Sequence, residues 1–188
     1  MTSGAAGLVP SAPLTPRGWD QAAVAARGLA DGPIAEVYAS TALRAGQTAG
    51  AIAIACGVNV FTPVAELGEV GIGRAEGSVD PQLRKRTADV LRAWVVDEDL
   101  DLRVEDGETG HEVVVRMTSA LEGIVAAHPG ETVVVVGHVA SLTIALSRLC
   151  GLGDRVWGTP LPHAEPFLVE WDGQGWNCET WPAPTPTL

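Results

Sequence analysis

The sequence predicts an α/β fold with three layers, in which helices cover both faces of a mainly parallel sheet. Short β-branched segments alternate with longer alanine-rich or amphipathic segments, which is typical of parallel strands joined by crossover helices. The purest β-branched run, Thr132–Val136, predicts a buried parallel strand. The chain has 188 residues and 46% of them are hydrophobic, so we expect residues 1–188 to form one domain.

Helix and strand signals divide the first half of the chain. Thr15 followed by Pro16 predicts a helix start, because threonine caps a helix N-terminus and proline fits its first turn. Gly57 predicts a helix end, and the glycine-rich segment 66–77 predicts a loop. In order, we expect a helix over 17–30, a strand over 34–40, a helix over 41–56 and a strand over 58–64.

The second half continues the alternation. Gly130 and Gly151 predict helix ends, and Asp172 to Gly175 predicts the turn of a hairpin. We expect helices over 81–96, 109–127 and 141–149, a strand over 132–136, a hairpin of 166–171 with 176–180, and a flexible tail over 182–188.

Charge and cysteine content exclude several classes of function. The chain carries 23 acidic and 12 basic residues, a net charge of −11, which argues against binding nucleic acid or an anionic membrane. Its three cysteines are widely spaced, so neither a disulfide framework nor a metal site is indicated, and no cofactor is expected. No apolar run is long enough to span a membrane, and the first residues lack the pattern of a signal peptide. We therefore expect a cytoplasmic protein.

Two strand ends carry the residues that can bind an anion. Arg44 falls in the first turn of the helix after the first strand, and His138 lies between the strand 132–136 and its helix. Ligands of parallel α/β sheets bind beyond the carboxyl ends of the strands, where helix N-termini offer free N–H groups. This pattern predicts a phosphate site. The alternative is a structural histidine that is hydrogen-bonded to the backbone.

Five segments, in order along the chain, resemble motifs of the histidine phosphatase superfamily, which has the phosphoglycerate mutase-like fold. Residues 14–22 resemble LTxxGxxQA, residues 38–49 resemble YSSxLxRAxQTA, and residues 67–77 resemble LxExxxGxxEG. Residues 106–109 resemble GGES, and residues 133–138 resemble the strand that ends in the second active-site histidine. An α/β-hydrolase is disfavoured, because the G-x-S-x-G motif is absent after this strand.

The resemblance implies a role for each candidate residue. Arg44 would bind the phosphoryl oxygens, and His138 would donate a hydrogen bond to the transferring phosphoryl group. The N–H group of Val139 would bind the same anion. Glu69 would serve as the general acid toward the leaving oxygen, although a solvated loop acid is the alternative. The substrate would be a small phosphorylated metabolite, and the reaction that of a phosphatase or a phosphomutase.

One family signature has no counterpart in the sequence. The nucleophilic histidine belongs to an Arg-His-Gly run at the end of the first strand, whereas the four histidines here are His111, His128, His138 and His163. Either the chain starts downstream of that strand, with residues 1–13 as the remaining loop, or it is an inactive relative that binds a phosphorylated ligand. We expect the first central strand to be missing, the 188-residue polypeptide to lack turnover, and the open sheet edge to favour a homodimer.

Overall fold

The computed structural model describes residues 7–182, and five α-helices and five β-strands are assigned within this range. The helices are α1 (Pro16–Leu29), α2 (Leu43–Ala55), α3 (Pro81–Arg92), α4 (Gly110–Ala127) and α5 (Val139–Leu149). The strands are β1 (Ile34–Ala39), β2 (Thr62–Pro63), β3 (Thr132–Val136), β4 (Glu170–Trp171) and β5 (Trp176–Asn177). The alternation of strands and helices predicted over the first 149 residues is confirmed.

Local signals explain the helix boundaries. The side chain of Thr15 accepts a hydrogen bond from the N–H of Gly18, and Pro16 is the first residue of α1. Thr109 and Glu112 form a capping box at the start of α4. Such side chains bond backbone N–H groups that a helix start leaves free, which stabilises the start by about 1 kcal/mol.

The main sheet has the order β2-β1-β3, and all its pairs are parallel. Tyr38 is in register with Val135 of β3 and with Thr62 of β2. Since the strands are parallel, their carboxyl ends lie along one edge of the sheet, which brings the segments after β1 and β3 together.

Helices cover both faces of this sheet, as predicted. Val134 and Val136 pack with residues of α1 and α2, including Ala49. Val133 and Val135 pack against the opposite hydrophobic cluster, which contains residues of α4 and α5 such as Met117. The alternation of side chains along β3 therefore divides the core into two layers.

Several predicted elements differ from the structure. Strand β2 covers only residues 62–63 rather than 58–64, because the N–H of Val58 instead bonds the carbonyl oxygen of Ala53 and so extends the end of α2. Helix α3 ends at Arg92 and continues as a π-helical turn over Ala93–Asp97. The hairpin shrinks to β4 and β5, and the glycine-rich loop contains two 3₁₀ turns.

The prediction that β3 is fully buried is wrong. Thr132 is exposed and the four valines that follow are only half-buried. The reason is the position of β3 at the end of the strand order, so that among the described residues it has a sheet neighbour on one side only.

The chain before α1 is irregular where the structure describes it. Its residues 7–13 contain neither helix nor strand, in agreement with the predicted loop, while residues 1–6 and most of the predicted tail (183–188) lie outside the described range. The N–H of Leu43 donates to the carbonyl oxygen of Pro10 at 2.8 Å, and the N–H of Leu14 donates to Oε1 of Gln47 at 2.7 Å. This segment thus lies against the N-terminus of α2.

No membrane-spanning helix is found among the described residues. None of the helices described between residues 7 and 182 combines the length and the apolar character needed to cross a bilayer.

Candidate active site

His138 lies at the junction of β3 and α5 and is only 7% exposed. It is the N-cap residue of α5 and has an extended backbone conformation. Its Nε2 atom is 2.6 Å from Oγ of Ser40, and its Nδ1 atom is 3.1 Å from Nη2 of Arg44. The imidazole therefore connects the two strand-to-helix junctions that the sequence singles out.

The contacts of His138 determine which nitrogen carries the proton. A guanidinium can only donate hydrogen bonds, so Nδ1 accepts from Arg44 and Nε2–H donates to Ser40 in the neutral ring. The ring is neutral because its pKa is lowered to about 4, first by burial and then by the positive charges of Arg44 and Arg116. The site thus holds a neutral histidine beside a cation.

Arg44 is the second residue of α2, and its guanidinium donates hydrogen bonds to other groups of the chain. Nη1 donates to the carbonyl oxygens of Leu8 at 3.1 Å and Val9 at 2.9 Å, while Nη2 faces His138. Burial lowers the pKa of Arg44 from its usual value, and the charge of Glu69 opposes that change. An anion that binds Arg44 has to exchange with these carbonyl groups.

Glu69 lies against the N-terminus of α5. Its carboxylate accepts hydrogen bonds from the N–H groups of Ser141 at 2.9 Å, Ala140 at 3.2 Å and Val70 at 2.9 Å. A helix N-terminus favours negative charge. The position that the sequence predicts for a bound anion, next to Val139, is therefore occupied by a carboxylate of the protein.

Arg116 of α4 holds the loop that carries Glu69, and sequence analysis missed it. Its guanidinium donates to the carbonyl oxygens of Glu66, Gly68 and Glu69, and it pairs with the carboxylate of Glu108 at 2.7 Å. A single arginine within a helix gives no signal of such a role, because its partners are backbone groups 47 to 50 residues away.

Two other acidic residues of the motifs also bond backbone groups. Glu108 accepts from the N–H of Gly71 at 2.7 Å, and Glu76 accepts from the N–H groups of Ile72 at 2.7 Å and Leu8 at 2.6 Å. These carboxylates therefore hold the glycine-rich loop around Glu69 in place.

The other three histidines have different surroundings. His128 bonds the hydroxyl of Tyr38 at 2.8 Å and the carboxylate of Glu131 at 2.7 Å. His111 is exposed beside Asp101, and the backbone carbonyl of His163 accepts a weak bond from Gln21. Within residues 7–182, His138 is the one histidine that contacts Arg44.

A cavity of about 630 Å³ lies beside this cluster. It is lined by residues that follow β1, including Ser40, and by the first turns of α2. Phe61 and Pro63, the second of which belongs to β2, complete the lining. No group of three or more His, Cys, Asp or Glu residues suited to a metal ion is found in the part of the chain that the structure describes.

The chain matches a known protein family over most of its length. The family model described as "Histidine phosphatase superfamily (branch 1)" matches residues 4–184. A relative named "Probable phosphoglycerate mutase GpmB", from Serratia proteamaculans, is 29% identical in an alignment of 174 residues that covers 89% of this chain and 80% of that protein.

Solved structures share the fold. A mycobacterial glucosyl-3-phosphoglycerate phosphatase, Rv2419c, in complex with VO3, superposes with a TM-score of 0.80 at 22% identity, over 96% of this chain and 92% of that one. The alpha-ribazole phosphatase of Shigella flexneri superposes with a TM-score of 0.72 at 22% identity, over 92% and 85% of the two chains. The three-layer, phosphoglycerate mutase-like fold expected from the sequence is confirmed, and with the family model matching nearly the whole chain, the protein belongs to the histidine phosphatase superfamily.

Proposed function

We propose that this chain binds a phosphate monoester at Arg44 and His138, as the phosphate-binding part of a phosphatase of the histidine phosphatase type. The observation that carries the proposal is the 3.1 Å contact between Arg44 Nη2 and His138 Nδ1. The two residues come from separate strand-to-helix junctions at the carboxyl edge of a parallel sheet, which is where ligands of such sheets bind.

The groups at this edge suit a phosphoryl anion. A guanidinium offers a planar pair of donors that matches two phosphoryl oxygens. Arg44 would exchange its bonds to Leu8 and Val9 for the anion, and the N–H of Val139 at the start of α5 would add a further donor. The substrate would be a small phosphorylated metabolite.

We assign Glu69 as the candidate general acid toward the leaving oxygen, as the resemblance implies. In the structure its carboxylate accepts three backbone hydrogen bonds. To donate a proton it would leave the N–H groups of Ala140 and Ser141, and this would at the same time open the α5 N-terminus to the phosphoryl group. A single movement of the Glu69 side chain would therefore permit both proton donation and anion binding.

Turnover needs a nucleophile in addition to these groups. A phosphohistidine mechanism uses one histidine as nucleophile and a second one as donor, whereas the described part of the site holds His138 alone. We propose that the 188-residue polypeptide binds the anion without turning it over, and that a phosphatase would require an Arg-His-Gly segment, which these 188 residues lack. The second candidate is an inactive relative that only binds, and a phosphomutase is the third.

The binding proposal is tested by titrating the protein with orthovanadate or inorganic phosphate in a calorimeter. We expect Arg44→Ala to weaken binding by at least about tenfold, because a charge-assisted pair is lost. Arg44→Lys should restore only part of the affinity, since an ammonium lacks the planar fork. Arg27→Ala, a substitution of an exposed arginine in α1, serves as the control.

Equal affinity of the wild type and Arg44→Ala would contradict the binding proposal. Measurable hydrolysis of p-nitrophenyl phosphate by the 188-residue protein, lost in His138→Ala, would contradict the proposed absence of turnover. The genomic sequence upstream of Met1 separates the phosphatase from the binding-only relative.

We also propose a cytoplasmic location. Cys56, Cys150 and Cys178 are all free thiols, and burial raises the pKa of each of them, in the case of Cys150 to about 11. Unreactive free thiols suit a reducing compartment. Fractionation of the native host with an antibody to the protein tests this location.

A further inference from the structure

Ser40 is the buried residue of the site to which the proposed mechanism gives no role. It follows β1 directly, and its side chain is 1% exposed. Oγ accepts a hydrogen bond from the N–H of Ala42 at 3.1 Å and lies 2.6 Å from Nε2 of His138. The hydroxyl therefore touches the ring nitrogen that faces away from Arg44.

The position of Ser40 is determined by the backbone on both sides. Its own N–H donates to the carbonyl oxygen of Val136, two residues before His138, at 3.0 Å. The N–H of Ala42 donates to the hydroxyl oxygen itself. Backbone bonds therefore hold both the main chain and the hydroxyl of Ser40 next to the end of β3.

We propose that Ser40 is a positioning residue that holds His138 in its Nε2–H tautomer and so directs Nδ1 toward the anion held by Arg44. This inference rests on the proposed function for the identity of the ligand. The geometry alone supports the tautomer, because Arg44 cannot accept a hydrogen bond and Nδ1 must then be the acceptor.

The tautomer has a consequence for anion binding. When Arg44 turns from Nδ1 to the anion, Nδ1 faces negative charge and takes up one proton from solvent. The resulting imidazolium donates Nδ1–H to an anion oxygen and keeps Nε2–H on Ser40. The charged groups that act on the ring are Arg44 of α2 and Arg116 of α4, which oppose this protonation. The Glu69 carboxylate also faces this region, where it accepts from the N–H groups of Ala140 and Ser141 in the first turn of α5.

Without Ser40 the same step is less favourable. In Ser40→Ala a buried N–H of the ring loses its partner, which costs free energy in the neutral and still more in the charged state. The ring is then free to rotate or to adopt the other tautomer. We therefore expect Ser40→Ala to weaken vanadate binding by about tenfold or more.

The direct test is ¹⁵N NMR at neutral pH of protein in which the histidines are labelled with ¹⁵N. The spectrum of His138→Gln identifies the signals of His138. We expect His138 to show a protonated Nε2 and an unprotonated Nδ1 in the wild type, and a changed tautomer distribution in Ser40→Ala. Ser40→Thr, which keeps the hydroxyl, should restore the wild-type signals. Ser147→Ala removes another buried serine hydroxyl, which bonds Ile144, and should change neither the signals nor vanadate affinity.

The tautomer measurement tests the role of Ser40, whereas vanadate binding by the wild type tests the proposed function. An Nδ1–H tautomer in the wild type, or His138 signals that are the same in Ser40→Ala, would overturn the inference. Failure of the wild type to bind vanadate would instead overturn the proposed function, while the tautomer measured in the free protein would still decide the role of Ser40.

Discussion

At the scale of single residues, the site consists of polar groups that are paired with one another. His138 bonds Ser40 and Arg44, and Arg44 bonds two carbonyl oxygens as well. Buried polar groups cost free energy unless they are paired. The anion binding proposed above would therefore be an exchange of hydrogen bonds, in which the anion replaces those that Arg44 loses.

The neutral state of His138 predicts a pH dependence of stability. The ring has a pKa of about 4 in the folded protein and about 6.5 when unfolded, so the unfolded state binds an extra proton between these values. The neutral ring therefore contributes roughly 3 kcal/mol to the free energy of unfolding above pH 6.5. This contribution is lost as the pH falls from 6.5 to 4. Urea unfolding at several pH values, compared between the wild type and His138→Gln, measures this loss.

The matched control is His111→Gln, because His111 is 63% exposed in its side chain. This variant should keep the wild-type dependence on pH. A difference between the wild type and His138→Gln that is constant from pH 7 to pH 4 would contradict the predicted pKa change.

At the scale of elements, the loop from Glu66 to Gly77 is held by side chains of other segments. Arg116 of α4 bonds three of its carbonyl groups, and Glu108 bonds the N–H of Gly71. A loop this rich in glycine has little preference of its own. The conformation of the loop, and therefore the position of Glu69, depends on contacts from Arg116 in α4 and from Glu108 in the turn before α4.

Loss of Arg116 should therefore destabilise the protein and loosen the loop. Arg116→Met keeps the aliphatic stem but leaves the Glu108 carboxylate and three carbonyl groups without this donor, so we expect a loss of roughly 2–4 kcal/mol. Denaturant unfolding measures the loss, and hydrogen exchange should be faster at the Val70 and Gly71 amides.

Arg92→Met provides the comparison, since Arg92 pairs with Asp97 while both side chains are about half exposed. Such surface pairs contribute little, about 0–1 kcal/mol. If the two arginine variants were equally stable, the loop would not depend on Arg116.

At the scale of the whole molecule, β3 is one of the two edge strands of the main sheet as the structure describes it. It is the strand with the strongest β propensity, yet it ends the order β2-β1-β3 within the described residues. An open edge of this composition offers unpaired backbone groups to another strand. We expect a second copy of the chain to pair with it.

Sedimentation velocity over a range of concentrations tests this prediction of a homodimer. The expected mass is twice 19.5 kDa at high concentration. Thr132→Lys, a substitution of an exposed residue at the start of β3, should weaken the dimer because an edge lysine opposes strand pairing. Ser119→Lys places the same charge on the exposed face of α4 and should leave the dimer intact, whereas a wild-type monomer at every concentration would contradict the prediction.

Sequence analysis predicted the fold and the proximity of Arg44 to His138. Helix starts such as Thr15–Pro16 and the β-branched run Thr132–Val136 are local signals, and both are confirmed. The order of strands and helices predicted that Arg44 and His138 lie at the same sheet edge, and they are in contact there. The roles of these two residues, like those of Glu69 and Val139, stay predictions. The short β2 and the half-buried β3 show where local propensity did not determine pairing.

Most helices and strands, the family, and the two residues at the strand ends thus follow from the amino-acid order, because capping, periodicity and short motifs depend on residues close together in the chain. The contact of Ser40 with His138, the support of the Glu69 loop by Arg116 and the carboxylate at the start of α5 depend instead on the tertiary structure. These contacts join groups 47 to 98 residues apart, and their geometry follows from how the layers pack rather than from any local pattern.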